Sequence, residues 1–466
     1  MSKKMNRENN INKHRQKKSL FRMYLKQFKK HKLGKIGFYL LITLYLMAML
    51  ADFISPYSMT WMNKRKSLHP PSRIYFFYKN KKNKYIFRPF VYENHVTNIM
   101  LKTYEKIPEY SLRLIIRDKI PGFDEMRIIT WHNNPVQRKQ QVVSQMTNKL
   151  NLLPDAPILQ AISEKIDEIE NSEKYDDLSL FHHKIINTDK QVGNKQFILI
   201  KGNKNFLGLG TKGIPYDLFN IFKVNRHLFG SESGGFFPMG TDELGRDVFS
   251  RLLHGGRISL SVGLVGILIS FFFGIAVGGI SGYFGGILDS IIMRFCEILL
   301  SFPYLILLFA LRATFPPDLN SVQVYLLIII IMSFINWAYL ARIIRGMVLS
   351  IKNEEYVLSA KTIVQSPLKI LGKHIIPNTF SFLIIQATIS VPQYILGESS
   401  LSFLGLGITE PQSSWGLMLS IGRNTRYIKD FPWLLIPGFF IFLSIMAWNF
   451  FGDGIRDAVD PYSKFK

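Results

Sequence analysis

The apolar and polar positions of this chain are segregated into long blocks rather than mixed as a water-soluble core requires. Six apolar runs are long enough to cross a bilayer, which takes roughly 20 residues of helix. They are Ile36 to Ile54, a stretch without charge between Arg257 and Asp289, about Ile291 to Leu311, about Val322 to Ala341, about Thr379 to Leu396, and Trp433 to Phe451. A buried globular core accounts for one or two such runs, not six. The pattern predicts an all-α polytopic membrane protein. Between the first two runs lies an insertion, roughly Ser55 to Phe237. Its SRIYFFYKNKKNKYIFRPFVYE segment predicts two aromatic strands around a Lys/Asn turn. APILQAISEKIDEIENSEK predicts an amphipathic helix with Ile158, Ile162, Ile166 and Ile169 on one face, and KQFILIKG predicts a further strand. The insertion is thus a small α+β domain, or a lobe completed by partners; periodicity leaves both open.

These runs divide the chain into a basic leader (1–35), a first span (36–54), the insertion (55–237) and a five-span region (238–462). Charge then sets the orientation. The leader holds 13 basic residues and one acid, which predicts a cytoplasmic N-terminus. Counting spans puts 312–321 and the insertion outside, and puts 342–378 and the C-terminus inside. The inner loop carries Arg342, Arg345, Lys352, Lys361, Lys369 and Lys373, in agreement with the count. The net charge of +25 over 466 residues would suggest nucleic acid in a soluble protein. Here it reads as membrane orientation and attraction to anionic lipid, with no nucleic-acid partner. No cleavable signal is expected, because the polar stretch before the first run is too long and no small-residue cleavage site follows. The single cysteine, Cys296, excludes an intramolecular disulfide and reads as a small buried hydrophobe.

The inner loop is longer and more ordered in pattern than a minimal turn. Asn353 is placed to cap a helix whose first turn holds Glu354 and Glu355. Ser366 and Pro367 restart the chain as an N-cap and first-turn pair, and Pro377 opens the next span. An interfacial helix floating in the head groups needs a clean apolar face. Tyr356, Val357, Leu358, Ile363 and Val364 are instead scattered around this one. A short helix with small residues and a few apolar knobs suits insertion into a groove on another protein.

The segment EYVLSAK…IIPN resembles the EAA loop of binding-protein-dependent ABC importer permeases, with Glu355, Ser359, Ala360 and Ile375-Ile376-Pro377 in its positions. Val364 stands where that pattern has Gly. A second segment, PMGTDELGRDVFSRLLHGGRISL, is similar to the G-T-D-x-x-G-R-D-x-x-S-R stretch of the C-type subunit in the dipeptide/oligopeptide subgroup. It supplies Gly240, Thr241, Asp242, Gly245, Arg246, Asp247 and Arg251. GYFGGILDSIIMRFCEILLSFP, LGESSLSFLGLG, SSWGLML and GDGIRDAVDP resemble the same subgroup in the same order. An isolated GTD or GRD is an ordinary turn; twenty residues in register beside a span are a stronger signal.

The resemblance implies a six-span type I ABC importer permease for peptides in the cytoplasmic (inner) membrane. It implies a homologous second permease, two cytoplasmic ATP-binding subunits and an extracytoplasmic peptide-binding protein as partners. In that family the first loop helix is a coupling helix, which places Glu355, Tyr356, Ser359, Ala360, Lys361, Val364 and Pro377 in the coupling loop. ATP and Mg would be bound by the partner ATPases, and no cofactor by this chain. An importer of the same architecture for nickel or a peptide-nucleotide compound is the alternative, and a membrane-anchored extracytoplasmic sensor is a rival of another class. Arg294 and Glu297 share a helix face and are expected to pair near the cytoplasmic end of the third span. Glu398 is expected just past the fifth span, near the outer face. No G-x-x-x-x-G-K-S/T motif, nucleophile elbow or metalloprotease helix occurs. GLGTKG at 208–213 is followed by Pro215 and opens no long helix, so a dinucleotide site is not expected. His182-His183 lacks companion ligands, so no metal site and no enzyme activity are expected.

Overall fold

A computed structural model describes residues 23–459 except 80–83, 99–100, 107–110, 118–123, 131–143, 145–183, 188–194, 201–203, 219–221, 233, 317 and 364. The chain forms two units, Met1–Ala51 with Arg251–Lys466, and Asp52–Ser250. Among the described residues five helices are long and apolar enough to cross a membrane, and a bent helix pair makes a sixth.

The first spanning helix, α1 (Lys32–Met49), is capped by the His31 ring, which accepts from the Gly34 amide. It packs on the last helix, α9 (Ile436–Val459), through glycine. A Cβ on Gly34 would lie 2.8 Å from the Gly454 Cα, and one on Gly37 would lie 2.6 Å from the Ala447 carbonyl. At its other end, Arg257 Nε donates to the Ala48 carbonyl at 2.7 Å. This satisfies an orphan group of the helix terminus.

The long helix α2 (Val248–Phe284) runs 37 residues, about 55 Å at the usual rise. Its small residues permit close approach of two neighbouring helices. Gly263 and Gly266 meet Val391 and Tyr394, whereas Gly274, Gly278 and Gly282 meet Leu340, Ala341 and Arg345. One ladder at helical spacing thus faces each neighbour, α8 (Phe380–Phe403) and α5 (Ser321–Ile351).

The third span is not the continuous run expected over 291–311. It is two helices, α3 (Gly286–Ser301) and α4 (Tyr304–Ala313), bent by 91°. Pro303 explains the break, since proline disfavours helical backbone at the residue before it. Phe302 is accordingly extended, with ψ 140°. Arg294 and Glu297 pair at 2.9 Å as expected, on an exposed face. Cys296 is buried.

The second unit is strand-rich and antiparallel throughout its described part. Strands β1 (Ile74–Lys79) and β2 (Tyr85–Tyr92) pair with Phe77 opposite Phe87, and β9 (Lys204–Phe206) joins β2 with Phe206 opposite Phe90. A small hairpin joins β3 (Asn94–Asn98) to β4 (Thr103–Lys106). A four-stranded sheet runs β6 (Asp124–Thr130), β5 (Ser111–Arg117), β8 (Lys195–Ile200), β7 (Lys184–Asn187). A hairpin joins β10 (Gly208–Leu218) to β11 (Phe222–Gly230), so GLGTKG is strand. Both aromatic strands and the KQFILI strand form where the sequence puts them. The helix expected at 156–174 and His182-His183 lie outside the described residues. The two ends of the strand region meet directly. Ser72 N donates to the Phe237 carbonyl at 2.8 Å, and Phe237 N to Ser72 Oγ at 3.0 Å.

Candidate functional site: the 353–378 loop and its supports

The interruption between α5 and α8 begins with α6 (Glu355–Thr362) and α7 (Pro367–Ile370). The chain then passes through a π-helical turn at Leu371–Ile375 and a tighter turn at Ile376–Thr379 that holds Pro377. Pro377 therefore lies in a continuous helical path into α8, where its missing N–H loosens the regular ladder. Ser366 and Pro367 start α7 as expected, although the Ser366 side chain makes no capping bond.

Asn353 does not cap α6. The N-cap is Glu354, in extended conformation, and the Asn353 amide reaches back to the Leu349 carbonyl at 3.5 Å. The α5 helix persists to Ile351, nearly three turns further than the apolar run at the usual ~3.6 residues per turn, and leaves no room for an Asn353 cap.

Helix α6 is divided by burial. Val357 and Ala360 are buried, packed with Ile344 and Val348 of α5, with Ile370, Leu371 and Ile375, and with Leu383 of α8. Tyr356, Leu358 and Ile363 are exposed, as are Glu355, Ser359 and Lys361. The scattered apolar residues are therefore two sets, one held by the chain's own spans and one left open. The Tyr356 hydroxyl accepts from Asn378 at 2.9 Å. Lys361 reaches the Lys352 carbonyl at 3.5 Å and lies 5.9 Å over the Tyr283 ring. Ser359 donates to its own helix at the Glu355 carbonyl. Val364 lies outside the described residues.

A partly buried brace supports this side of the bundle. Asp289 accepts from Arg345 Nε at 3.1 Å and Nη2 at 2.5 Å, and from the Ser281 hydroxyl. Lys352 donates to the Gly282 carbonyl at 3.1 Å. These bonds join α2, α3 and α5. Sequence reasoning missed Asp289 and Arg345. Their pairing spans 56 positions and has no local signal.

Glu398 is not past the fifth span but inside α8, fully buried. Its carboxylate accepts from Ser402 at 2.7 Å and Ser259 at 3.1 Å. Ser259 in turn accepts the Trp415 amide, and Ser402 the Ile408 amide. The carboxylate thus anchors α2, α8 and the connection after α8.

The GTD–GRD segment is a clamp rather than an open site. Thr241 bridges the Lys66 carbonyl and the His69 amide. Asp242 accepts the Leu244 and Arg246 amides at 2.9 Å each and Arg246 Nε at 2.7 Å. Gly240 and Gly245 both have φ of 75°. At Gly245 a Cβ would also strike the Asn63 carbonyl, so glycine is required there. Asp247 caps α2 by accepting the Ser250 amide and hydroxyl at 2.7 and 2.6 Å. Arg251 pairs with Glu410 at 3.0 Å. Among the described residues no cluster of metal-ligating side chains occurs.

Comparison with known proteins follows this division. Residues 274–464 match the family described as binding-protein-dependent transport system inner membrane component. Residues 19–71 match the N-terminal TM domain of oligopeptide transport permease C. The chain is 46% identical to the dipeptide transport system permease protein DppC of Bacillus subtilis (strain 168) over 222 residues, 48% of this chain and 68% of that one. It is 46% identical to the oligopeptide transport system permease protein OppC of Haemophilus influenzae over 228 residues, 49% of this chain and 71% of that one. With the glutathione transport system permease protein GsiD of Pectobacterium atrosepticum it shares 37% over 251 residues, 54% of this chain and 80% of that one. The spans and these likenesses define a multi-pass membrane permease. The chain belongs to the binding-protein-dependent transport system inner membrane component family.

Proposed function

We propose that this chain is a permease subunit of an ATP-driven peptide importer, forming half of the translocation path. What supports the reading is its identity to dipeptide and oligopeptide permeases across the spans. The burial pattern of α6 supports the mechanical part. Val357 and Ala360 fasten the helix to α5 and α8, while Leu358, Ile363 and Tyr356 are left for a partner. A push on the outer face then reaches two spans at once. In this reading the partner is a pair of cytoplasmic ATPases, which bind the ATP and Mg. The chain itself binds no cofactor and catalyses no reaction. A second permease completes the path and an extracytoplasmic binding protein delivers the peptide. Both termini and the 353–378 loop face the cytoplasm.

Uptake of labelled peptides by cells lacking the chain, and by the same cells with it restored, tests the cargo. Peptide uptake is expected to vanish and return while uptake of radioactive nickel is unchanged. Loss of nickel uptake with intact peptide uptake overturns the reading.

A further inference from the structure

The β1–β2 hairpin is packed at one end and bare at the other. At its base, where β9 joins β2, the neighbours Phe90 and Val91 are each 1% exposed, so both faces are covered there. Toward the Lys79–Lys84 end, Phe76, Phe77, Tyr85 and Phe87 are between 51% and 71% exposed. Register makes these rings one patch. Phe77 pairs with Phe87 across the strands, and Tyr85 stands two positions from Phe87 on the same face. The Phe87 ring lies 5.3 Å from that of Phe77 and 6.3 Å from that of Phe76. The opposite face is filled by the chain itself. There the Tyr78 ring lies 5.4 Å from Phe206 and 6.1 Å from Phe90, and the Arg88 guanidinium sits 4.1 Å over Phe206. The charge of the hairpin has one sign. Arg73, Lys84 and Arg88 are exposed, and the sequence from 73 to 92 holds six basic residues and no acid.

Contiguous apolar surface rimmed by polar residues marks a place of contact. The occupant has to accept phenylalanine rings and answer positive charge together. A water-soluble polyanion would satisfy the cations and leave the rings in water. The boundary of a bilayer holding anionic lipid does both, since aromatic rings settle at head-group depth and lysine and arginine are drawn to the negative surface. Such a surface is also at hand. Ile74 comes 25 positions after Met49, the last residue of the first span, and a short tether raises the effective concentration of what it is tethered to. We propose that the β1–β2 hairpin is a peripheral membrane anchor, with Phe76, Phe77, Tyr85 and Phe87 entering the head-group layer of a leaflet that holds anionic lipid and Lys84 pairing with the lipid phosphates. The anchor does not depend on the cargo of the permease.

The test uses the full-length chain, with the subunits that co-purify with it, in vesicles of phosphatidylcholine alone or mixed with phosphatidylglycerol. Each vesicle carries a trace of lipid with a photoreactive group near its head. After illumination, mass spectrometry compares lipid adducts on 74–92 with those on α1, which serves as the reference in both membranes. Hairpin adducts are expected in the anionic vesicles and to be several-fold fewer in the neutral ones. Lys84→Gln is expected to lower the hairpin-to-α1 ratio about fivefold in anionic vesicles, the scale of one basic residue at such a surface. Phe77→Thr with Phe87→Thr is expected to abolish hairpin adducts and leave those on α1. The lysine variant spares the ring contacts, so its result decides the matter even where the double variant misfolds. Equal hairpin adducts in neutral and anionic vesicles overturn the proposal, and so does their absence from both. Cross-links from 74–92 to a co-purified subunit in place of lipid identify a protein occupant and overturn it too. The import reading stands under every one of these outcomes.

Discussion

Glu398 and Asp247 are buried carboxyls that, among the described residues, are held by hydroxyls and amides rather than by a cation. Removing the Glu398 carboxyl leaves the Ser259 and Ser402 hydroxyls without their acceptor. Glu398→Leu is therefore expected to cost about 1–3 kcal/mol, and Glu398→Gln less, because the amide keeps one acceptor oxygen. Thermal melts of the extracted protein check the order. Asp247 has a pH signature. Burial pushes its carboxyl up to about 7, against an ordinary value of 3.8. The folded state thus retains a proton that the unfolded chain has released. The contribution of this group is full below the ordinary value and is lost as pH rises through about 7. His69 acts in the opposite sense. Burial, then Lys66, lowers its imidazole to about 4, so its contribution is full above about 6.5 and is lost as pH falls through 4. Comparing Asp247→Asn with the wild type isolates the first effect. The variant is expected to gain in melting temperature relative to the wild type as pH rises from about 5 to about 7.5. An unchanged difference counts against a buried, protonated Asp247.

At the scale of elements, α6 makes a prediction that no single position makes alone. Leu358→Asp with Ile363→Asp changes only the open face. It is expected to leave thermal stability unchanged while abolishing peptide-stimulated ATP hydrolysis by the assembled complex. Val357→Asp instead buries a carboxylate in the cluster under the helix and is expected to prevent stable insertion. If the first variant behaves as the second, the open face is structural and not a contact for ATPases. The same helix shows where reading from sequence stops. A bilayer imposes a length on its spans, so the apolar runs disclose them. That Val357 and Ala360 face inward depends on Ile344, Val348 and Ile370–Ile375, which the chain brings together only on folding. Hydropathy also ran through Pro303, because it sums composition and gives no weight to a missing N–H. It ended the fifth span before Glu398 because GESS is polar. The helix nevertheless continues to Phe403, since serines from two helices satisfy the carboxylate. Cap signals failed at Asn353 for a related reason, the extension of α5 past its apolar part.

At the scale of the whole chain, the strand-rich region lies between the two family matches, which end at residue 71 and resume at 274. Its first and last segments are joined by the two bonds between Ser72 and Phe237. Segments with adjoining ends are tolerant sites for excision and insertion. Replacing 74–235 by a short Gly/Ser linker is expected to leave the spans insertable and the complex extractable, as judged by its yield and melting temperature. Aggregation of that variant counts against the independence of the region. The Ser72–Phe237 clasp has a practical corollary. Departure and return share one address, so a foreign module whose termini are neighbours inherits that address when spliced in its place. A fluorescent domain quenched by external acid, seated there, makes the permease its own gauge of sidedness.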